Sequence, residues 1–244
     1  MLTGDTTSGI LSPHTVTTTT HTLQMKIKTL AIAAATLAVG AISSQAQAPV
    51  YSQNVVGYVN VICPASKYVF IENPMDTGNN VITNVIKGAP GASQLLYWNG
   101  SGFSTFTFSL GHWKSGAVNV DNTNLPPGMG FFMLASANFT NTFVGNFLSA
   151  SSYTNALSTV LTPVGSILPY SDVVTNKSTI NLGVPGATQL QQWNTTAQAF
   201  TTFTYNGISK VWKIGALSTN PVVNVGDAYF ILSASATNWV QTSP

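Results

Sequence analysis

Few residues of this chain could carry chemistry. Beyond residue 46 it holds one histidine, His112, one cysteine, Cys63, one glutamate, Glu72, the four aspartates Asp76, Asp121, Asp172 and Asp227, and no arginine. A Ser-His-Asp arrangement would have to use His112, which follows Gly111 in an expected loop, and no nucleophile motif accompanies it. Glycoside hydrolysis needs two carboxyls about 5–9.5 Å apart. Glu72 and Asp76 form the nearest pair along the chain, but both fall in IENPMDTGNN, a stretch of turn formers where carboxylates solvate or cap the backbone. One histidine and one cysteine are too few for a zinc site. Asp76-Thr-Gly-Asn-Asn80 and Asp121-Asn-Thr-Asn124 offer oxygen ligands without the EF-hand spacing, and Asx-turns account for them equally well. Gly128-x-Gly130 lacks the further glycines of a phosphate loop. No catalytic residue, metal ligand or cofactor is expected, and Cys63 reads as a buried, inert strand residue.

Charge is as scarce as catalytic groups. Asp, Glu, Lys and Arg make up 6% of the residues, against roughly 25% in an average soluble domain. Threonine, asparagine, serine and glycine supply the polarity instead. Beyond residue 46, Lys67, Lys87, Lys114, Lys177, Lys210 and Lys213 stand against five acids. The pI of about 8.7 therefore reflects few ionisable groups and not a basic surface. Lys210 and Lys213 flank Trp212, too little for nucleic acid. With 44% apolar and 10% aromatic residues the chain can offset the entropy of ordering, so disorder is not expected.

What remains is aromatic. Tyr97, Trp98, Trp113, Trp193 and Trp212 are the candidate ligand-binding residues, since flat rings beside amides and hydroxyls can stack on sugar faces. The competing reading makes the same rings core residues, kept for packing. Trp98 follows Tyr97 on an expected strand, so one of these rings must point away from the core. Leu96-Tyr97 corresponds to Gln191-Gln192 in a second copy described next, and this drift in polarity suggests an edge or exposed strand.

Those rings are positioned by a duplication. Pro90-Gly91-Ala92-Ser93-Gln94-Leu95 matches Pro185-Gly186-Ala187-Thr188-Gln189-Leu190, and Trp98-Asn99 matches Trp193-Asn194, all 95 positions apart. Phe103-Ser-Thr-Phe-Thr-Phe108 matches Phe200-Thr-Thr-Phe-Thr-Tyr205 at 97, Trp113-Lys114 matches Trp212-Lys213 at 99, and Gly128-Met-Gly-Phe-Phe132 matches Gly226-Asp-Ala-Tyr-Phe230 at 98. Order is kept and the offset drifts only in expected loops, the mark of an internal repeat. The copies span residues 47–149 and 150–244 and, with no Pro- or Gly-rich linker between them, are expected to pack together.

Within each copy the pattern is β. Phe106 and Phe108 alternate with Thr105 and Thr107, as Phe203 and Tyr205 do with Thr202 and Thr204, which is the period of a half-buried strand. Asn99-Gly100 is a hairpin signal because both residues accept positive φ, and copy two lengthens that turn to 194–199. Further strands are expected over 55–62, 68–71 and 95–98 and after Gly128 and Gly226, with a short helical turn over 79–86 capped by asparagine. The fold class is all-β, with two sequence-related sandwich or barrel-like units of roughly 95 residues packed together. An outer-membrane barrel would also explain alternation, but its strands need 9–11 residues.

The N-terminus reads as a leader. Residues 1–24 suggest a segment upstream of a true start at Met25, and residues 25–46 a secretory signal. Lys26 and Lys28 form its basic region, 29–42 its apolar core, and Ser44-Gln45-Ala46 a small-residue cleavage site ending at Ala46. No second apolar run is long enough to span a bilayer as a helix.

The opening Val50-Tyr-Ser-Gln-Asn-Val-Val-Gly-Tyr-Val-Asn-Val61, the Trp98–Phe108 stretch of W-x-x-x-x-aromatic-x-x-F-T-F type, and the PGxGFF-type strand at Pro127–Phe132 resemble a large set of uncharacterised exported two-repeat β-proteins abundant in verrucomicrobial bacteria. The resemblance covers most of the chain after the leader and implies a secreted, periplasmic or cell-surface setting in a Gram-negative bacterium. It carries no activity or functional residue across. Two functions are expected to compete: a non-enzymatic structural, matrix or adhesive protein of the envelope or extracellular space, and a carbohydrate-binding module using the repeated tryptophans. The expected partners are polysaccharide or envelope components, not nucleic acid.

Overall fold

The computed structural model describes residues 56–147, 152–168 and 170–242, all within one compact unit. The leader and the Ala46 cleavage site lie outside the described residues. Copy one runs β1 (Val56–Cys63), β2 (Tyr68–Glu72), α1 (Ile82–Val85), β3 (Gln94–Trp98), β4 (Phe103–Ser109), β5 (His112–Ser115), β6 (Val118–Asn119), β7 (Gly130–Leu134) and β8 (Phe139–Asn146). Copy two runs β9 (Ser152–Leu157), β10 (Thr162–Gly165), β11 (Asp172–Val173), β12 (Gln189–Asn194), β13 (Ala199–Asn206), β14 (Val211–Ile214), β15 (Leu217–Thr219), β16 (Val222–Val223), β17 (Ala228–Leu232) and β18 (Thr237–Thr242).

Each copy builds a six-stranded antiparallel sheet of the same topology, β2-β7-β3-β4-β5-β6 and β10-β17-β12-β13-β14-β15. A two-stranded ribbon, β1-β8 or β9-β18, forms a separate layer. Apolar residues of the ribbon meet one face of the sheet in a core of their own: Cys63 and Phe143 with Leu95, Phe106 and Trp113 in copy one, Leu157 and Trp239 with Leu190, Phe203 and Trp212 in copy two. The two units are thus all-β sandwiches. Alternation makes this possible, since Phe106 and Phe203 enter the cores while Thr105 and Thr202, one step away, stay exposed.

Register extends the repeat into the front halves, where the sequence likeness fades. Glu72 lies opposite Gly130, and Gly165 lies opposite Ala228. Residues 68–72 therefore correspond to 161–165, Phe70 to Pro163 and Glu72 to Gly165.

Three local expectations are corrected. Asn99-Gly100 does lie at the β3-β4 hairpin, but Trp98 pairs with Phe103, leaving a four-residue loop. There Gly100 has φ +98° and Asn99 is not among the positive-φ residues. Asn99 Oδ1 instead accepts from the N–H of Ser101 and Gly102, an Asx-type closure. The helix is preceded by Val81, with no side-chain cap; Asn80 Oδ1 accepts from the N–H of Thr77 and belongs to the turn before it. Finally β3 and β12 are interior strands, each between two partners, so Leu96 and Gln191 do not mark an edge.

The second face of the two six-stranded sheets forms a shared seam. Phe70, Phe132, Ala228 and Phe230 are buried there, with Tyr68, Leu96, Leu161 and Trp193 packed against them. Several of its contacts come in reciprocal pairs. Ile71 bridges Asp227 and Val164 bridges Met129. Glu72 N–H donates to Gly226 O at 3.0 Å, and Gly165 N–H to Gly128 O at 2.9 Å. Trp98 meets Phe230 at 6.0 Å and Trp193 meets Phe132 at 5.2 Å. Phe103–Phe230 and Phe200–Phe132 are 6.0 and 6.1 Å apart. Equivalent residues exchanging equivalent contacts is the arrangement of an isologous dimer interface, here closed within one chain.

Candidate functional site

The repeated tryptophans divide into two pairs. Trp113 and Trp212 are 0% and 1% exposed, each packed under the neighbouring strand's aromatic residue, Phe108 at 5.2 Å and Tyr205 at 5.4 Å. Neither indole N–H finds an acceptor among the described residues. Trp98 and Trp193 are half-buried and turn into the seam, where Trp193 Nε1–H donates to the Tyr68 carbonyl at 2.8 Å. Tyr97 points the other way, stacking on Phe106 at 5.6 Å beside the core of copy one. The structure therefore does not assemble Tyr97, Trp98, Trp113, Trp193 and Trp212 into one surface. Trp193 borders a polar hollow of about 340 Å³ lined also by Gln192, Asn194, Thr195, Thr196 and Thr201.

The acids lie elsewhere than the sequence suggests. Glu72 is not in a solvated turn but ends β2, fully buried, with neither carboxyl oxygen hydrogen-bonded. Burial pushes its carboxyl well above the ordinary glutamate range against the opposing pull of the Gly226 backbone, and the acid that adds to the rise is Asp227 from copy two, not Asp76. Burial also raises Asp227, whose Oδ2 accepts from Asn224 Nδ2 at 2.9 Å. Asp76 closes its turn by accepting from Gly78 N–H and Asn80 Nδ2, both at 2.8 Å. His112 opens β5 and is not in a loop; its ring, 55% exposed, lies 2.7 Å from Asp121. Asp121 also accepts from the Trp113 N–H at 2.7 Å and from Asn119 Nδ2 at 2.9 Å, so its oxygens hold the β5-β6 hairpin. Asp172 serves its own loop in the same way, accepting from Thr179 Oγ1 and Asn176 Nδ2. Hydrogen bonds hold Asp172 below the usual carboxylate range. Among the described residues no three His, Cys, Asp or Glu side chains gather as metal ligands, and no helix is long and apolar enough to cross a membrane. Cys63 is buried, and burial pushes its thiol up to about 11.

Two hollows flank Tyr205 on copy two. One, about 610 Å³, is lined by Ala187, Thr204, Asn206, Ile208 and Lys213. The other, about 360 Å³, is lined by Thr175, Lys177, Asn181, Lys210 and Trp212. Lys213 stands in a cross-strand row, Gln189–Thr204–Lys213, whose counterpart Gln94–Thr107–Lys114 has the same three residue types in copy one. Sequence reasoning passed over this cluster because it weighed Lys210 and Lys213 by number alone. Lys177, more than 30 positions away in sequence, joins them only through the fold. No known protein family, curated protein or solved structure matches the chain.

Proposed function

We propose that the chain is an exported, non-enzymatic β-protein with a structural, matrix or adhesive role in the envelope or extracellular space of a Gram-negative bacterium. The observation that supports this is the seam. Both six-stranded sheets commit aromatic residues of one face to joining the copies, and Trp98, Trp193, Phe132 and Phe230 are drawn into that joint. Glu72, which could have served as an acid catalyst, lies sealed within it. In the producing bacterium, surface labelling of intact cells and of the matrix they shed should recover the chain outside the cytoplasm. Deleting it should weaken matrix cohesion or cell attachment, and a Glu72→Gln, His112→Gln, Asp227→Asn triple variant should restore both. A folded triple variant that fails to restore them would mean the role depends on acid–base groups, against this proposal. Retention in the cytoplasm would remove the exported reading.

A carbohydrate-binding role is the second reading, supported by the hollow that sets Trp193 beside Gln192, Asn194 and Thr201. Affinity electrophoresis through neutral polysaccharides tests it. Retardation lost in Asn194→Ala and Thr201→Ala, which leave the seam rings in place, favours that site; unretarded migration throughout counts against it.

A further inference from the structure

Three of the chain's few cations converge on one hairpin. Lys177 and Lys210 border the smaller hollow, which Tyr205 and Trp212 also line, and Lys213, paired with Thr204 on the opposite face of the sheet, borders the larger one. Lys177 and Lys210 are exposed and Lys213 is half-buried. Among the described residues the one ion pair, His112–Asp121, involves no lysine, and neither hollow is lined by a carboxylate. Asp172, the acid of the same loop region, spends its oxygens on Val173, Asn176 and Thr179.

Copy one lacks this arrangement at the matching place, and the reasons can be located. Its β4-β5 hairpin closes Ser109 on His112 through two residues, whereas the β13-β14 hairpin closes Asn206 on Val211 through four, and Lys210 sits in the enlarged loop. Ile82 and Val174 correspond, since their N–H groups donate to Thr123 O and Pro221 O respectively. From there to the repeated Pro-Gly-Ala, copy two is three residues longer, and Lys177 lies in that stretch. Where copy one has Asp121 closing the hairpin, copy two has Asn220, bonded to Thr175. Copy one carries Lys87 and Lys114 in the corresponding stretches, so this end of copy two has one lysine more and, with Asn220 in place of Asp121, one acid fewer.

We infer that this end of copy two, with Lys177 and Lys210 beside Tyr205 and Lys213 on the opposite face of the same hairpin, binds an anionic polysaccharide. The chemistry fits that class in three respects. The half-buried Tyr205 ring, backed by Trp212, offers a surface on which a sugar ring can stack. Thr175, Asn181, Thr204 and Asn206 supply neutral donors and acceptors for hydroxyl groups. The lysines border two separate hollows, which suits an extended polymer better than one small anion. Duplex nucleic acid, with one charge per roughly 1.7 Å, calls for a much denser basic surface.

The test is affinity electrophoresis of the secreted chain through gels containing polygalacturonate, neutral dextran or a DNA oligonucleotide. Polygalacturonate should retard it, dextran should not, and retardation should fall as salt rises from about 0.05 to about 0.5 M because exposed ion pairs are screened. Lys177→Gln, Lys210→Gln and Lys213→Gln together should weaken retardation about tenfold or more with an unchanged circular-dichroism melt, since none of the three is a core residue. Lys67→Gln, Lys87→Gln and Lys114→Gln together should change it less than about twofold. The inference is overturned if polygalacturonate gives no retardation, if dextran retards equally, or if DNA retards as strongly with the same lysine dependence. It is overturned too if the second lysine set matters as much as the first, which would make the binding a matter of net charge.

Discussion

The two copies share a topology, a core tryptophan and a docking face, and they differ where they touch and where they end. On the seam Glu72 stands where copy two has Gly165, and Phe70 where it has Pro163. Phe70 stacks on Phe132 at 4.3 Å and on Phe230 at 4.8 Å, wedged between the two rings that correspond across the joint. The Glu72 carboxyl occupies the space a side chain on Gly165 would need. Equivalent positions of a two-fold joint meet near the axis, so two bulky residues there would collide and two buried carboxyls would repel. A homodimer has to accept whatever its axis brings together. A duplicated chain can make one partner large and the other small. The outer ends carry no such constraint, and there one copy has the His112–Asp121 pair while the other gathers Lys177, Lys210 and Lys213.

The strongest way to break the comparison is to remove its best-matched residues. Trp113→Ala and Trp212→Ala each excavate the core of one copy and should cost about 3–5 kcal/mol. If the seam couples the copies, urea unfolding of either variant followed by near-UV circular dichroism should remain one transition at a lower midpoint. Two separated transitions, with only the mutated copy unfolding early, would show that the seam is a contact between independently stable units.

A smaller effect probes the asymmetry itself. Gly165→Ala drives a methyl into the Glu72 carboxyl, which is fully buried and cannot swing away, and should cost about 1–3 kcal/mol. Shortening the opposing side chain in Gly165→Ala/Glu72→Ala should recover most of that loss, a coupling that a double-mutant cycle measures directly. At Gly130, the strand partner of Glu72, an added Cβ would meet Ala228 Cβ at 2.8 Å and Pro163 backbone at 3.2 Å, with no flexible chain to yield. Gly130→Ala should therefore be destabilising as well, but without rescue by Glu72→Ala.

Strands and duplication were legible in the sequence because period-two alternation and repeated motifs are local signals. Phe106 and Phe108 beside Thr105 and Thr107 point to a strand whatever lies around them. The seam was not legible. Trp98 beside Tyr97 required one ring to leave the core, and sequence could not say that what receives it is the same face of the other copy. Glu72 misled for a related reason. Its neighbours Asn73, Pro74 and Asp76 are turn formers, yet pairing with Gly130 keeps it in a strand, and it is fully buried with its carboxyl against Gly165 of the second copy. The lysine cluster failed on distance, since Lys177 lies far from Lys210 in sequence and the two are joined only by a shared hollow.

The subtlest test of the asymmetry is its response to pH. Burial raises the Glu72 carboxyl well above 4.5, with Asp227 adding to the effect, whereas its counterpart Gly165 has nothing to titrate. The titratable groups facing it are Asp227 and Tyr229, and neither offers a compensating positive charge. A folded chain whose Glu72 keeps its proton binds more protons than the unfolded chain once pH passes 4.5. Stability contributed by the protonated form is thus complete below that pH and declines as pH rises toward the elevated folded value. Glu72→Gln removes this titration and should flatten the decline above pH 4.5, leaving the slope due to Asp227. Well above that pH the variant should melt at a higher temperature than the parent. Near pH 4.5 the two should nearly coincide. A Gln variant that loses stability more steeply with rising pH than the parent would mean the carboxylate is ionised and paired in the folded chain, and the seam would then hold a charge it has a use for.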